Sequence, residues 1–196
     1  MSVTYDDRTA LVVVDVQNDF AHPDGALSVR GGEDVVAAVN DEIAAATAAG
    51  AMVVYTQDWH PPRTPHFVTD GGPWPVHCVR DTWGAAFHPD LVVAGDSVRK
   101  GTGGEDGYSG FTMRDPTSGA DVSTGLHELL QARGAARVAV AGLALDYCVK
   151  ATALDGIALG YDCVVVRRAT APVEVEAGDG AAAEAELVAA GVVLAT

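Results

Sequence analysis

The chain has 196 residues and carries 12 Lys and Arg against 27 Asp and Glu, which gives a formal net charge of −15 at pH 7. Nucleic acid is not expected as a partner, because proteins bind phosphate backbones through clustered Lys and Arg. Hydrophobic residues make up 48% and charged residues 20% of the chain, which is typical of a folded globular protein and excludes a disordered one. The length favours one domain over residues 1–196, large enough to fold without disulfides or a structural metal.

Cysteine usage and the N-terminal residues indicate the compartment. Cys78, Cys148 and Cys163 are an odd number at irregular spacing, and the chain does not begin with the basic and then apolar pattern of a signal peptide. We therefore expect a reducing, cytoplasmic location. The longest apolar runs fall short of the roughly 18 uncharged residues of a membrane span, so no membrane partner is expected.

Apolar, β-branched runs alternate with segments of helical periodicity along the chain. The predicted strands are residues 9–14, 51–56, 97–100, 137–141, 162–166 and 192–194, and the predicted helices are residues 34–49, 123–133, 146–159 and 181–190. This alternation predicts an α/β fold: a three-layer sandwich in which a mostly parallel, doubly wound sheet has helices on both faces.

Two kinds of irregular segment interrupt this order. Residues 57–96 are dense in Pro, His, Trp and Gly, and a loop of this length is usually functional. The Gly-rich stretches 101–107 and 178–180 are also predicted loops. They lack the Gly-Lys-Ser/Thr of a phosphate-binding loop, so nucleotide binding is not indicated.

Reactive side chains follow several of the predicted strands, where open α/β sheets bind their ligands. Cys148 begins a helix, whose free N–H groups and dipole favour a thiolate and can hold an oxyanion. Lys100 can add a positive charge and Asp15 can carry the thiol proton, so these three residues suffice for acyl transfer. A buried structural cysteine beside an ordinary salt bridge is the alternative. The convergence of strand ends favours the nucleophile.

A second cluster combines a carboxylate with imidazoles: Asp58, His60, His66 and His77. Asp58 and His60 are two residues apart at a strand end and therefore point the same way. Such ligands suit one divalent ion, either zinc, iron or manganese. The alternative is a histidine-rich loop that caps the sheet through hydrogen bonds, but the closeness of the four residues in the chain favours a metal.

Aromatic residues near both clusters can form a binding slot. Phe20 and Trp74 lie close in sequence to Asp15 and His77 and can together hold a flat substrate. Tyr108 is a further candidate, with packing on the sheet as an equal alternative. The other cysteines and histidines are expected to be structural or surface residues: Cys78, Cys163, His22, His88 and His127.

As a set, these residues resemble the nicotinamidases of the isochorismatase-like cysteine hydrolase superfamily. The matching segments keep their order and spacing: residues 15–20 (DVQNDF), 56–60 (TQDWH), 66–67 (HF), 74–78 (WPVHC), 100–101 (KG), 108–111 (YSGF) and 142–149 (GLALDYCV). The resemblance implies an isochorismatase-like fold and hydrolysis of nicotinamide to nicotinate and ammonia through a cysteine thioester.

The resemblance also implies a role for each catalytic residue. Cys148 would be the nucleophile, Asp15 the proton carrier and Lys100 the support of the thiolate. Backbone N–H groups of Ala144 and Cys148 would form the oxyanion hole, next to a cis peptide bond between Leu143 and Ala144, a bond type that is rare before residues other than proline.

For the substrate side, the resemblance implies that the metal, most simply zinc, binds the pyridine nitrogen. Its ligands would be Asp58, His60, His66 and His77, with Phe20 and Trp74 holding the ring. Leu145 stands where relatives usually carry a small polar residue, often threonine, and the lost hydroxyl is expected to loosen the turn that carries the nucleophile.

Three alternatives remain open from the sequence. One is another small-amide or carbamoyl hydrolase of the same superfamily. The second is a hydrolase that uses a metal-activated water, with Cys148 incidental. The third is a non-catalytic, metal-dependent pyridine-binding protein. All three accept a small-molecule ligand, and the sequence is compatible with a homo-oligomer.

Overall fold

A six-stranded sheet in which every strand pairs in parallel forms the centre of the protein. The computed structural model describes residues 2–196. The strands are β1 (Thr9–Val14), β2 (Met52–Asp58), β3 (Asp96–Lys100), β4 (Thr112–Arg114), β5 (Asp121–Ser123), β6 (Arg137–Leu143), β7 (Asp162–Ala171) and β8 (Val193–Ala195). The sheet has the order β3-β2-β1-β6-β7-β8, while β4 and β5 form a separate antiparallel hairpin.

Helices cover both faces of this sheet, which confirms the predicted three-layer α/β sandwich. They are α1 (Asn18–Ala21), α2 (Gly32–Ala48), α3 (Leu126–Ala132), α4 (Lys150–Ala158) and α5 (Asp179–Ala189), with a 3₁₀ turn at Val68–Asp70 and a π-helical turn at Leu145–Val149. Among residues 2–196, no helix has the length and apolar character needed to cross a membrane.

Strand β1 explains why two cores form. Its residues are all buried, and because successive side chains point to opposite faces, Leu11 and Val13 pack with α2 in one cluster. Ala10, Val12 and Val14 pack in a second cluster with α3, α4 and α5. Strand β1 is apolar at almost every position because both of its faces are buried.

Three of the differences between the structure and the predicted elements bear on the site or on the strands. Strand β7 continues to Ala171, beyond the predicted end at residue 166, because Thr170 and Ala171 pair with the end of β6. The charges of Arg167 and Arg168 are tolerated within the strand, since they pair with Glu184 and Glu42. The predicted helix 146–159 begins with the π-helical turn. The hairpin β4–β5 was not predicted, since three-residue strands are too short for a periodic signal.

Gly142 sets the path of the chain after β6. Its φ of 115° is one that residues with a side chain rarely adopt, and a Cβ atom there would overlap the backbone of Val14 in the neighbouring strand. The pairing of β6 with β7 shifts register at the same point. Glycine is thus required where β6 approaches β1 and turns toward Cys148.

Candidate active site and metal centre

The centre of the sheet brings two strand ends together. Strands β1 and β6 are neighbours, and the chain leaves them toward opposite edges of the sheet, which makes their carboxyl ends the usual ligand crevice of such a fold. Asp15 directly follows β1, and the turn with Cys148 follows β6. A carboxylate oxygen of Asp15 and the sulfur of Cys148 lie within 4.8 Å of each other.

Lys100 stands between the two predicted clusters. Its Nζ lies 2.8 Å from Asp15 Oδ2, 2.9 Å from Asp58 Oδ1 and 3.5 Å from Cys148 Sγ. It also donates a hydrogen bond to the carbonyl oxygen of Tyr108 at 3.2 Å. The charged and sulfur-bearing side chains of this group are buried, with at most 7% exposure: Asp15, Asp58, Lys100 and Cys148. A single buried cation therefore neutralises carboxylates from both clusters.

The charges in this group follow from burial and mutual attraction. Although burial by itself lowers it, the pKa of Lys100 is raised well above its usual value by Asp15 and Asp58. Burial likewise opposes ionisation of Asp58, but Lys100 and His60 hold its pKa well below the usual range. Burial raises the pKa of Asp15, against the opposing effect of Lys100.

Burial among carboxylates favours the protonated form of the Cys148 thiol. Burial raises its pKa well above the usual value, and Asp15 and Asp58 act in the same direction, while Lys100 lowers it. A fully buried site with two carboxylates nearby thus offsets the lysine and the helix dipole, which by themselves favour a thiolate. Ionising the sulfur therefore requires a base close to it.

Asp15, the predicted proton carrier, is held in a fixed position. Its backbone has a φ of 49°, a conformation that non-glycine residues adopt mainly where the surrounding structure imposes it. The Thr56 hydroxyl donates to Asp15 Oδ1 at 2.6 Å. Since Oδ2 contacts Lys100, both oxygens of this carboxylate have a fixed partner.

The predicted metal ligands also converge. Asp58 Oδ2 lies 3.8 Å from His60 Nε2 and 3.9 Å from His77 Nε2. One nitrogen from each of His60, His66 and His77 lies within 4.8 Å of the others. Atoms that bind one ion at about 2.0–2.2 Å are separated from each other by similar distances. The spacing of these side chains is therefore compatible with a shared ion.

Hydrogen bonds on the far side of the rings leave nitrogen lone pairs free for an ion. His77 Nδ1 bonds the carbonyl oxygen of Pro75 at 2.7 Å, which leaves Nε2 unprotonated in the neutral ring. Burial lowers the pKa of His77 to about 4, so this ring is neutral at pH 7. Neither ring nitrogen of His60 has a hydrogen-bond partner within the described part of the chain, although the residue is 2% exposed. Orphaned nitrogens of this kind fit a divalent ion.

A pocket of about 370 Å³ opens onto both clusters. The three predicted substrate residues, Phe20, Trp74 and Tyr108, line it together with Cys148. Trp74 Nε1 donates to the Tyr108 hydroxyl at 3.0 Å. Sequence reasoning missed four further wall residues, which carry no signal beyond being apolar or aromatic: Leu27, Leu143, Tyr147 and Val173.

The peptide bond between Leu143 and Ala144 is cis, as the resemblance implied. Both residues line the same pocket as Cys148. The carboxylate of Asp146 accepts the backbone N–H groups of Val173 at 2.9 Å and Glu174 at 3.0 Å. The turn that carries Cys148 is therefore fixed to the segment after β7.

Leu145 is 5% exposed and packs in the apolar cluster beneath the turn. The hydrogen bonds of Asp146 and this core packing hold the turn, and the effect of the missing hydroxyl stays a prediction.

Gln17 and Asp19 bond the segments that carry two predicted metal ligands, a contact that sequence reasoning did not assign. The Gln17 side-chain amide donates to the carbonyl oxygen of Asp58 and accepts a hydrogen bond from the N–H of Asp58, both at 2.8 Å. It thus pairs with this backbone in the same way as the backbone of a neighbouring strand. Asp19 accepts the N–H of Cys78 at 2.7 Å, the residue after His77. Their position directly after β1 was the available signal, but spacing does not reveal which backbone a buried amide or carboxylate will bond.

The remaining cysteines and histidines lie elsewhere. Cys78 and Cys163 are buried in the two apolar clusters. His22 contacts the rings of Trp83 and His88, and His127 bonds the hydroxyl of Tyr161 at 2.9 Å.

Comparisons with known proteins agree with this geometry. Residues 9–196 match the isochorismatase domain family. A nicotinamidase of Escherichia coli is 35% identical over 95% of this chain and 94% of its own. The L. infantum structure in complex with nicotinate has a TM-score of 0.87 at 40% identity, covering 99% of this chain and 96% of that one. A pyrazinamidase of Pyrococcus horikoshii in complex with zinc has a TM-score of 0.84 at 36% identity, covering 96% and 99%. The resemblance found in the sequence is confirmed, and the chain belongs to the isochorismatase domain family.

Proposed function

We propose that the protein is an amidohydrolase that converts nicotinamide to nicotinate and ammonia through a thioester on Cys148. The observation that carries this proposal is the position of Lys100, 2.8 Å from Asp15, 2.9 Å from Asp58 and 3.5 Å from the sulfur of Cys148. One cation thereby joins the candidate nucleophile to the candidate metal ligands. The E. coli relative is named a nicotinamidase, and the L. infantum structure contains nicotinate, which supports this substrate.

Asp58, His60, His66 and His77 would hold one divalent ion. Zinc is our proposal, with iron or manganese as alternatives, because imidazoles with one carboxylate suit these ions and the P. horikoshii structure contains zinc. When bound, the ion supplies a Lewis-acid site for the pyridine nitrogen. Phe20 and Trp74 would hold the ring in the pocket, so that its carboxamide faces Cys148.

Acylation needs one base that later becomes an acid. Asp15 takes the thiol proton of Cys148 as the sulfur attacks the carboxamide carbon, and the carbonyl electron pair moves onto oxygen. Backbone N–H groups of Ala144 and Cys148 donate to this oxygen. Asp15 then gives its proton to the amide nitrogen, the C–N bond breaks, and ammonia leaves a thioester behind.

Deacylation repeats these steps with water. Asp15 takes a proton from water as its oxygen attacks the thioester carbon, the C–S bond breaks, and the sulfur regains a proton from Asp15. Nicotinic acid leaves and ionises in water. Lys100 keeps its proton throughout, because the two carboxylates raise its pKa, and it balances negative charge on whichever of Asp15 and the sulfur carries it.

Ammonia release from nicotinamide tests this proposal directly. Purified protein is stripped with a chelator and reloaded separately with zinc, iron or manganese. We expect activity in the loaded wild type, none in the stripped protein and none in Cys148→Ala. If the loaded wild type releases no ammonia, nicotinamide is not the substrate.

A comparison of amides distinguishes the other superfamily hydrolases. Pyridine-3-carboxamides are expected to be hydrolysed faster than aliphatic amides or carbamoyl compounds, because only the former can use both the aromatic walls and the ring-nitrogen site. The reverse preference would assign the same nucleophile to a different amide.

A further inference from the structure

We propose that Asp106 is a positioning residue for the metal site, which acts by orienting His66. This inference rests on the metal site of the proposed function, but not on the identity of its substrate. Asp106 lies in the Gly-rich loop 101–107, outside every motif that the sequence brought into consideration. Its side chain is 58% exposed, whereas that of His66 is 5% exposed.

The contact between the two side chains is short. His66 Nδ1 lies 2.6 Å from Asp106 Oδ1. A carboxylate can only accept, so the proton of the neutral ring resides on Nδ1 and the lone pair is on Nε2. The ring of His66 stacks on that of His60 at 4.9 Å and lies 5.4 Å from that of His77, and its other nitrogen is the one available to these neighbours. A histidine ligand whose second nitrogen donates to a carboxylate is fixed in tautomer and orientation, and it is a more basic ligand.

Among the candidate histidine ligands, His66 is the one whose ring is bonded to the side chain of a distant residue that the structure describes. Asp58 ends β2, and His60 has backbone hydrogen bonds with Cys78 and Arg80. His77 bonds a carbonyl two residues away. His66 lies in an irregular segment, and its ring is bonded to a residue 40 positions along the chain.

Asp106 itself is firmly held. Its backbone N–H and C=O both pair with Arg114 of β4, and its Oδ1 also accepts the N–H of Gly107 at 2.9 Å. The hairpin is fixed in turn to α4, since the Thr112 hydroxyl donates to Asp155 at 2.6 Å. The β4–β5 hairpin therefore acts as a support that carries Asp106 to His66.

Zinc affinity is the quantity to measure, because it does not depend on turnover. Dissociation constants are obtained by competition with a chromophoric chelator for the wild type, Asp106→Ala and Asp106→Asn. Asp106→Ala is expected to weaken zinc binding by about 10–100-fold. Asp106→Asn keeps an acceptor oxygen but loses the charge, so its loss should be smaller.

Asp121→Ala is the matched control. It removes the same charge from β5, on the other side of β4 from Asp106, and should bind zinc within about twofold of the wild type, as expected for a surface position. If Asp106→Ala also binds within twofold of the wild type, or if the wild type binds no zinc, the proposal is wrong.

A double-mutant cycle separates an action through His66 from general damage to the loop. If Asp106 acts through His66, adding Asp106→Ala to His66→Ala should not weaken zinc binding further. A full additional loss in the double variant would overturn the proposal. A loaded wild type that binds zinc normally but releases no ammonia would reject the proposed substrate and leave this result intact.

Discussion

The two halves of the site are built in different ways. In the sheet half, Asp15, Asp58, Lys100 and Cys148 end or follow strands, and Asp58 is the direct register partner of Lys100 in the β2–β3 pair. In the loop half, His66, His77, Trp74 and Tyr108 lie in irregular segments, and each is held by an individual side-chain hydrogen bond. The charged groups that would move protons are thus held in place by the strands of the sheet. The metal and ring contacts instead depend on bonds that can be removed one at a time.

The largest expected effect is in the sheet half, where the covalent chemistry is placed. Cys148→Ala should lower kcat by at least about 10⁴-fold, because no other group can form the thioester. Cys163→Ala, which makes the same change at a buried cysteine outside the pocket, should retain activity. Ammonia release measures both. Substantial activity in Cys148→Ala would favour the alternative mechanism, in which a metal-activated water attacks the substrate. The reacting groups would then lie in the loop half.

Removing the cation of the sheet half should affect stability as well as activity. Lys100→Met leaves Asp15 and Asp58 buried without their common partner, and breaking a buried pair in this way costs about 3–5 kcal/mol. The unfolding free energy from urea denaturation measures this loss. Adding Asp15→Asn to Lys100→Met should restore part of it, and a loss below about 1 kcal/mol would mean that the sheet half is not held by its charges.

The loop half should respond to pH. Burial lowers the pKa of His77 to about 4, against about 6.5 for a free histidine. Between these values the unfolded chain binds more protons than the folded one, so the unfolding free energy of the metal-free protein falls as the pH falls. His77 alone should contribute about 3 kcal/mol of this loss between pH 7 and pH 4.

Urea denaturation at several pH values measures this contribution. His77→Gln should flatten the pH dependence, while His127→Gln, a change at a ring bonded to Tyr161, should leave it unchanged. Equal slopes for the wild type and His77→Gln would contradict the burial of a neutral His77.

The smallest expected effect concerns Leu145. Leu145→Thr should lower the unfolding free energy by about 1–3 kcal/mol, because a buried apolar side chain is replaced by a hydroxyl. Its kcat should change by less than about threefold, because Asp146 already holds the turn. A marked increase in kcat in Leu145→Thr would mean instead that the missing hydroxyl loosens the turn of the wild type.

The sequence predicted the sheet half more completely than the loop half, for a physical reason. Strand periodicity and the rule that strand ends converge are enough to bring Asp15, Lys100 and Cys148 to one place. They do not give the register of β2 and β3, so the contact between Lys100 and Asp58 was not foreseen. They also do not give the burial of Cys148 among carboxylates, which raises the pKa of its thiol.

The supports of the loop half left little signal. Asp106 lies 40 residues from His66, in a stretch that indicated only a loop, and the hairpin behind it is too short to show alternation. Gln17 and Asp19 stood in a recognised motif, yet their partners are backbone groups of distant segments. Residue spacing predicts which side chains lie at the same edge of the sheet. It does not predict which backbone atoms they bond.

The two oxygens of Asp58 have separate partners: Oδ1 contacts Lys100, and Oδ2 faces the imidazoles of His60 and His77. A carboxylate oxygen of Asp58 also lies within 4.8 Å of the sulfur of Cys148. A divalent cation bound there favours the ionised sulfur, and reciprocity requires that the ionised sulfur strengthens cation binding by the same free energy. The acidity of the Cys148 thiol and the affinity for the ion would therefore be linked by one coupling free energy, which can be measured from either side.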